Sequence, residues 1–302
     1  MVHSKLRSLK NRFMGPAEKV TEAPSATSAV TVKASHFPLE YQPQIHEQNI
    51  RDFFSQEGRQ LFSEPHRPLD AKKILIVCFI NRSGSNWLCE TLHATGLTAH
   101  GDEFFNEARL KKTCEKHGIK SLDEYIREMF KPKLQVNGSV TMKLSWDQLY
   151  FLTKERVIPE ILQHAEFIYP IRRDMAAQAL SLEIAEQTGQ WRSDWNSGIN
   201  KAPAPDAITD EAILSSIQRI AHHHSQFLQY FGTFGIHPHM MFYEDLLADT
   251  HAEMDRLLVK LGMAESGKWS LNQSKQVMKK QSTSKSAERL EKFRRNMYER
   301  CE

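Results

Sequence analysis

The sequence predicts an α/β fold with a central, mainly parallel sheet flanked by helices. Three observations carry this reading. Residues Ile74–Ile80 are an unbroken run of β-branched, aromatic and other apolar residues, the pattern of a strand covered on both faces. Strand-like runs at Val140–Leu144, Phe167–Ile171 and Met240–Tyr243 alternate with helical patterns, as parallel crossovers require. The helical stretches Asn86–Thr95, Asp174–Thr188 and Thr250–Leu261 each stop at a glycine, Gly96, Gly189 and Gly262, a common left-handed stop signal. A fourth helical pattern runs from Ile208 to Phe231.

The elements sit in a chain of 302 residues, 40% apolar and 25% charged. That is ordinary for a globular protein with a sizeable core. The run Ile74–Ile80 is the longest apolar stretch, far short of the roughly 20 residues a membrane span needs. The first thirty residues lack the apolar core of a secretory signal. Net charge is +3, too small for a surface dedicated to nucleic acid, so no nucleic-acid partner is expected. Local basic surfaces at the two ends suit small anions or a membrane face better. The four cysteines, Cys78, Cys89, Cys114 and Cys301, show no CxxC spacing and no histidine at ligand spacing; reduced thiols in a cytoplasmic protein are expected, and no metal.

Residues 1–35 read as a basic extension and linker. Val2, Leu6, Leu9 and Phe13 share one helical face among Lys5, Arg7, Lys10 and Arg12. A short basic amphipathic helix can lie on an anionic membrane, so residues 1–14 are a candidate peripheral contact on the inner membrane face. An unstructured tail or a helix docked on its own domain fits the same pattern. Residues 36–70 form a connecting segment, and 71–302 the main domain.

The segment Asn81-Arg82-Ser83-Gly84-Ser85-Asn86-Trp87 follows the first strand and opens a helix. Ligands of open α/β sheets bind at the carboxyl ends of strands. Small residues there let backbone N–H groups converge on an anion, and the helix N-terminus favours negative charge. No GxxxxGK[ST] and no GxSxG occurs, so neither a Walker A loop nor a hydrolase elbow is present. A second unit runs from the strand at Phe167–Ile171 into Arg172-Arg173-Asp174, with Ser181 about two helical turns in. Two such units suit a ligand with two separate anionic groups. A plain strand–turn–helix and a solvated arginine pair remain the alternatives at each. His222-His223-His224 point in different directions on a helix and cannot converge on one metal ion. Asp245 reads as the N-cap of the turn after the last strand.

Taken in order, these blocks resemble the bacterial carbohydrate sulfotransferases of the trehalose 2-sulfotransferase-like family. The resemblance covers roughly Lys73–Arg295. It rests on Arg82-Ser83-Gly84-Ser85 with Leu88-Cys89, Thr95-Gly96, Glu103-Phe104-Phe105-Asn106, Arg172-Arg173-Asp174 with Gln178-Ala179 and Ser181-Leu182, Gln187-Thr188-Gly189 with Trp191, and Tyr243-Glu244-Asp245-Leu246. It implies a P-loop-like sulfotransferase fold and a sulfotransferase using 3′-phosphoadenosine 5′-phosphosulfate (PAPS) and a hydroxyl of a carbohydrate or glycolipid, trehalose being the family default; it permits a homodimer. Carried over by position, Arg82, Ser83, Gly84, Ser85 and Asn86, with Trp87 beside them, resemble the 5′-phosphosulfate loop. Arg173 and Ser181 resemble the 3′-phosphate pair, and Lys280 with Gln281 a late donor-binding element. Glu103 matches the general base, and Phe104, Phe105 and Trp191 become acceptor contacts. The segment Ala99-His100-Gly101-Asp102 lacks the proline often found before the base, which bears on the acceptor pocket. A nucleotide-dependent phosphotransferase and a phosphate-binding scaffold without catalysis are the competing readings.

Overall fold

The apolar run after Lys73 becomes the buried centre of a sheet. In a computed structural model, which describes residues 45–62, 71–155, 165–191, 205–272 and 283–300, four strands form that sheet. They are β1 Lys73–Cys78, β2 Ser139–Leu144, β3 Ala165–Ile171 and β4 His239–Phe242. Their order is β2-β1-β3-β4 and every pairing is parallel. Ile74 through Cys78 are fully buried; complete burial of each such apolar side chain contributes about 1.5–3 kcal/mol. The strand is shorter than its apolar run. It ends at Cys78, and Phe79 and Ile80 lead into a turn closed by the Ser83 N–H on the Ile80 carbonyl at 3.1 Å.

Ten α-helices are described: α1 Ile45–Phe54, α2 Ser85–Ala94, α3 Glu107–His117, α4 Leu122–Met129, α5 Trp146–Lys154, α6 Met175–Thr188, α7 Asp210–Phe234, α8 Tyr243–Ala248, α9 Thr250–Lys260 and α10 Ser284–Glu299. Local chemistry sets their starts. Ser145 and Gln148 form a reciprocal capping box at α5, while Asp174, Thr209 and Asp249 cap α6, α7 and α9. The expected stops at Gly96, Gly189 and Gly262 are left-handed, whereas α7 runs on past Phe231 and stops at Gly235. Asp245 is not a cap. It lies inside the first turn of α8, whose N-cap is Phe242, because the helix begins at Tyr243 directly after β4.

Helices cover both faces of the sheet. On one, Leu75, Val77, Ile168 and Met241 pack with Leu88, Cys89 and Leu92 of α2 and with Met254, Leu257 and Leu258 of α9. On the other, Phe167 and Tyr169 meet Phe227 and Phe231 of α7, and Trp146 of α5 meets Phe227 and Tyr230. Residues 36–70 contribute α1, which buries Ile50, Phe53 and Phe54 and packs on α3 and α5. Its Glu47 carboxylate accepts from Arg51 and Lys154.

The connection after β1 leads to β2 on one side, and the connection after its neighbour β3 leads to β4 on the other. This is a topological switch point, and the crevice at the carboxyl ends of β1 and β3 is where such sheets bind ligands. The basic N-terminal face at residues 1–14 and the pair Lys280-Gln281 lie outside the described residues, as does Cys301. Cys78, Cys89 and Cys114 are free and buried. Burial pushes the Cys89 thiol up to about 12, so it has no thiolate character at neutral pH. Among the described residues no helix is long and apolar enough to cross a membrane.

Candidate active site

The turn after β1 is shaped by its backbone. Arg82 has φ 65° and Gly84 φ 92°, both left-handed, which is uncommon for a residue with a side chain and concentrates at functional positions. Gly84 caps α2 without a side chain. A Cβ there would stand 2.4 Å from Cδ2 of Tyr243, so the position tolerates glycine alone on both conformational and steric grounds. Ser83 is 1% exposed, and its hydroxyl is buried without a hydrogen-bond partner. An orphaned hydroxyl behind the N-terminus of a ten-residue helix fits an anion that it would help to hold. The turn is fastened from outside by Gln178 of α6, whose Nε2 donates to the Asn81 carbonyl at 2.9 Å.

Two nitrogens of the Arg82 guanidinium are turned to nearby oxygens. Nε donates to Ser181 Oγ at 2.9 Å and Nη1 to the Trp191 carbonyl at 2.6 Å. Burial, and after it the neighbouring Arg172 charge, lower its pKa from the ordinary arginine value. Arg172 leaves the end of β3, and its Nε is buried without a hydrogen-bond partner. Its guanidinium lies 4.9 Å from the centre of the Tyr243 ring. Two arginines that repel each other at the ends of adjacent strands are the electrostatic signature of an anion site.

Arg173 is engaged away from the turn. It does not meet Ser181, which Arg82 occupies. It is exposed, and it makes a bidentate pair with Asp245 at 2.5 and 2.6 Å, which raises its pKa. It also stacks 4.1 Å over Phe242. The Arg173 and Asp174 N–H groups donate to the Glu244 carboxylate at 3.1 and 3.4 Å, and Arg294 of α10 donates to Asp174 at 2.8 Å.

Glu103 follows a bridge between Asp102 and Met142 of β2. Its carboxylate accepts from Lys143 Nζ at 2.8 Å, and its N–H donates to Asp102 Oδ1 at 2.7 Å. Asp102 in turn pairs with Arg109. The Lys143 ammonium also donates to the Asn86 amide oxygen in the first turn of α2. Lys143 is the residue that pattern reading missed, because only the pairing of β2 with β1 reveals it. Gly101 belongs to this corner, where a Cβ would stand 2.7 Å from Cys89 Sγ.

The remaining candidates divide. Ser85 is buried at the start of α2. Trp87 packs against the core beneath α2. Trp191 brings its carbonyl to Arg82. Phe105 is fully buried against Tyr125, and the Phe104 carbonyl accepts from the same tyrosine hydroxyl; Phe105 thus has no surface to offer an acceptor. His224 accepts or donates at the Tyr169 hydroxyl, 2.7 Å away. Among the described residues no group of three or more His, Cys, Asp or Glu could hold a metal ion.

The family model described as Stf0 sulphotransferase matches residues 74–296. No curated protein matches the chain.

Proposed function

The chain belongs to the Stf0 sulphotransferase family, and on that premise we propose that it transfers a sulfuryl group from PAPS to a hydroxyl of a carbohydrate or glycolipid. The observation that carries this reading is the connection of the anion turn to a carboxylate. Arg82, Ser83 and the α2 N-terminus form one pole, Glu103 forms the other, and Lys143 joins them through Asn86. A scaffold that only held phosphate would have no use for a carboxylate so placed.

PAPS supplies an activated sulfuryl group and two separate phosphates. The Ser83 hydroxyl, the backbone N–H groups at the start of α2 and the Arg82 and Arg172 guanidinium groups supply what such anions need. Glu103 accepts the proton of the acceptor hydroxyl. The acceptor oxygen forms a bond to sulfur as the bond between sulfur and the 5′-phosphate oxygen breaks. That oxygen keeps the electron pair, and adenosine 3′,5′-bisphosphate leaves. Charge growing on the bridging and sulfuryl oxygens falls to Arg82 and the turn's N–H groups. In-line transfers of this kind ask the protein for positioning and electrostatics more than for covalent chemistry. The carbohydrate or glycolipid nature of the acceptor rests on the sequence resemblance.

Glu103→Gln tests the assignment. The change keeps shape and removes the proton acceptor, so turnover is expected to fall by about 10²–10⁴. Calorimetric binding of adenosine 3′,5′-bisphosphate should stay at the wild-type value. Near-wild-type turnover in the folded variant would remove Glu103 as the base and leave His100 and Asp102 as the next candidates.

A further inference from the structure

We propose that Lys143 is a positioning residue for the transfer, fixing the Glu103 carboxylate at a set place relative to the helix that receives the donor. The inference rests on the proposed roles of Glu103 and of the α2 turn, and adds a residue that neither role requires by itself.

Lysine is an unusual occupant of a strand whose six residues are all buried, as those of β2 are although it stands at the edge of the described sheet. Its side chain is 5% exposed. An ammonium taken from water costs several kcal/mol unless partners replace the solvent, so each contact it makes carries weight. Those contacts come from three separate elements. Glu103 Oε1 accepts at 2.8 Å. The Asn86 amide oxygen accepts from α2. The Phe79 ring at the end of β1 lies 4.8 Å from Nζ, within cation–π range.

Register explains the convergence. Lys143 stands opposite Val77, and Val77 lies on the face that α2 covers. The lysine stem therefore runs under the first turn of α2. Its backbone is fixed as well, since the Lys143 N–H donates to the Asp102 carbonyl at 2.9 Å. One residue thus holds the Asp102–Glu103 segment by its main chain and the Glu103 carboxylate by its side chain. Asp102 is turned away to Arg109, which leaves Glu103 as the carboxylate presented toward α2. Beside it Asn86 is neutral, and Arg109 is engaged by Asp102.

The test is a double-mutant cycle of Lys143→Met and Glu103→Gln. Wild type and variants are given sulfur-labelled PAPS with a panel of trehalose and glycolipids, and the acceptor that wild type labels is used for kinetics. Lys143→Met is expected to lower kcat by about 10- to 100-fold, the range for a base displaced by about an ångström. The KM for PAPS should change by less than about threefold. In the Glu103→Gln background the same change should cost less than about twofold, because the two residues act as one unit. Losses that multiply would overturn the proposal, and so would an unchanged kcat. Affinity for adenosine 3′,5′-bisphosphate and thermal melting are followed to exclude general unfolding. A second arm needs no acceptor. A crystal structure of Lys143→Met with adenosine 3′,5′-bisphosphate should show the Glu103 carboxylate released from its place beside Asn86. A carboxylate still in place would overturn the proposal. Failure of wild type to label any acceptor would count against the proposed reaction, while this second arm still decides the role of Lys143.

Discussion

The loops that leave β1 and β3 are neighbours at the carboxyl edge of the sheet, yet they are built in opposite ways. The β1 loop owes its shape to sterics: two left-handed residues, a buried serine, and a glycine pressed against a tyrosine ring. The β3 loop owes its shape to charge: Arg173 on Asp245, two N–H groups on Glu244, and Arg294 on Asp174. A loop fixed by sterics has one solution and fails abruptly. A loop fixed by exposed ion pairs has several near-equal solutions, because each pair is screened and contributes little.

The largest effect is therefore expected at Gly84. Gly84→Ala imposes a left-handed φ on alanine and drives its Cβ into Tyr243. Strain of this type costs about 1–3 kcal/mol, read from urea unfolding. Calorimetric affinity for adenosine 3′,5′-bisphosphate should fall at least as far as any substitution in the β3 loop brings it. Retained affinity would show that the turn bends more readily than its contacts allow.

The two arginines of the β3 loop come next. Arg172→Ala is expected to weaken adenosine 3′,5′-bisphosphate binding by about 10- to 100-fold, the worth of charge-assisted hydrogen bonds to phosphate. Arg173→Ala should cost less, since its guanidinium is held by Asp245. The reverse ranking would mean that the donor draws Arg173 off its carboxylate. Asp245→Asn sharpens the point. It should leave affinity within about twofold if Arg173 stays apart, and a clear gain would show that Asp245 competes with a phosphate. The smallest effect is expected from Arg294→Ala. An exposed pair is worth about 0.2–1 kcal/mol, visible as a slight fall in unfolding free energy with nucleotide affinity unchanged.

The same contrast explains what could be read in advance. The turn Arg82–Asn86 was legible because its instructions are local: a buried strand, small residues and a helix start within a few positions. All four strands were legible, β1 from its unbroken apolar run and the others from shorter, mixed ones. The final strand read as Met240–Tyr243 is His239–Phe242, because Tyr243 already belongs to α8. Helix α5 gives no clear period, since Trp146, Leu149, Tyr150, Phe151 and Leu152 are all buried. Helix α10 hides for the opposite reason: among many charges, Arg289, Leu290 and Phe293 alone are buried. The pairing of Arg82 with Ser181, the capture of Arg173 by Asp245 and the reach of Lys143 to Asn86 join residues far apart in the chain. No local pattern encodes them.

Tyr243 gives the anion turn one more property, a schedule. The ring that walls Gly84 follows β4, which is the last strand along the chain among the described residues and pairs with β3 alone. During synthesis, β1 and β2 can pair long before that strand has emerged. The turn then exists as a stretch of sequence with one wall missing. Ligand that binds the finished molecule and not its precursors stabilises by mass action, so nucleotide would protect completed chains selectively from degradation. Pulse proteolysis of newly made protein, with and without adenosine 3′,5′-bisphosphate, should show protection appearing only after β4 has docked.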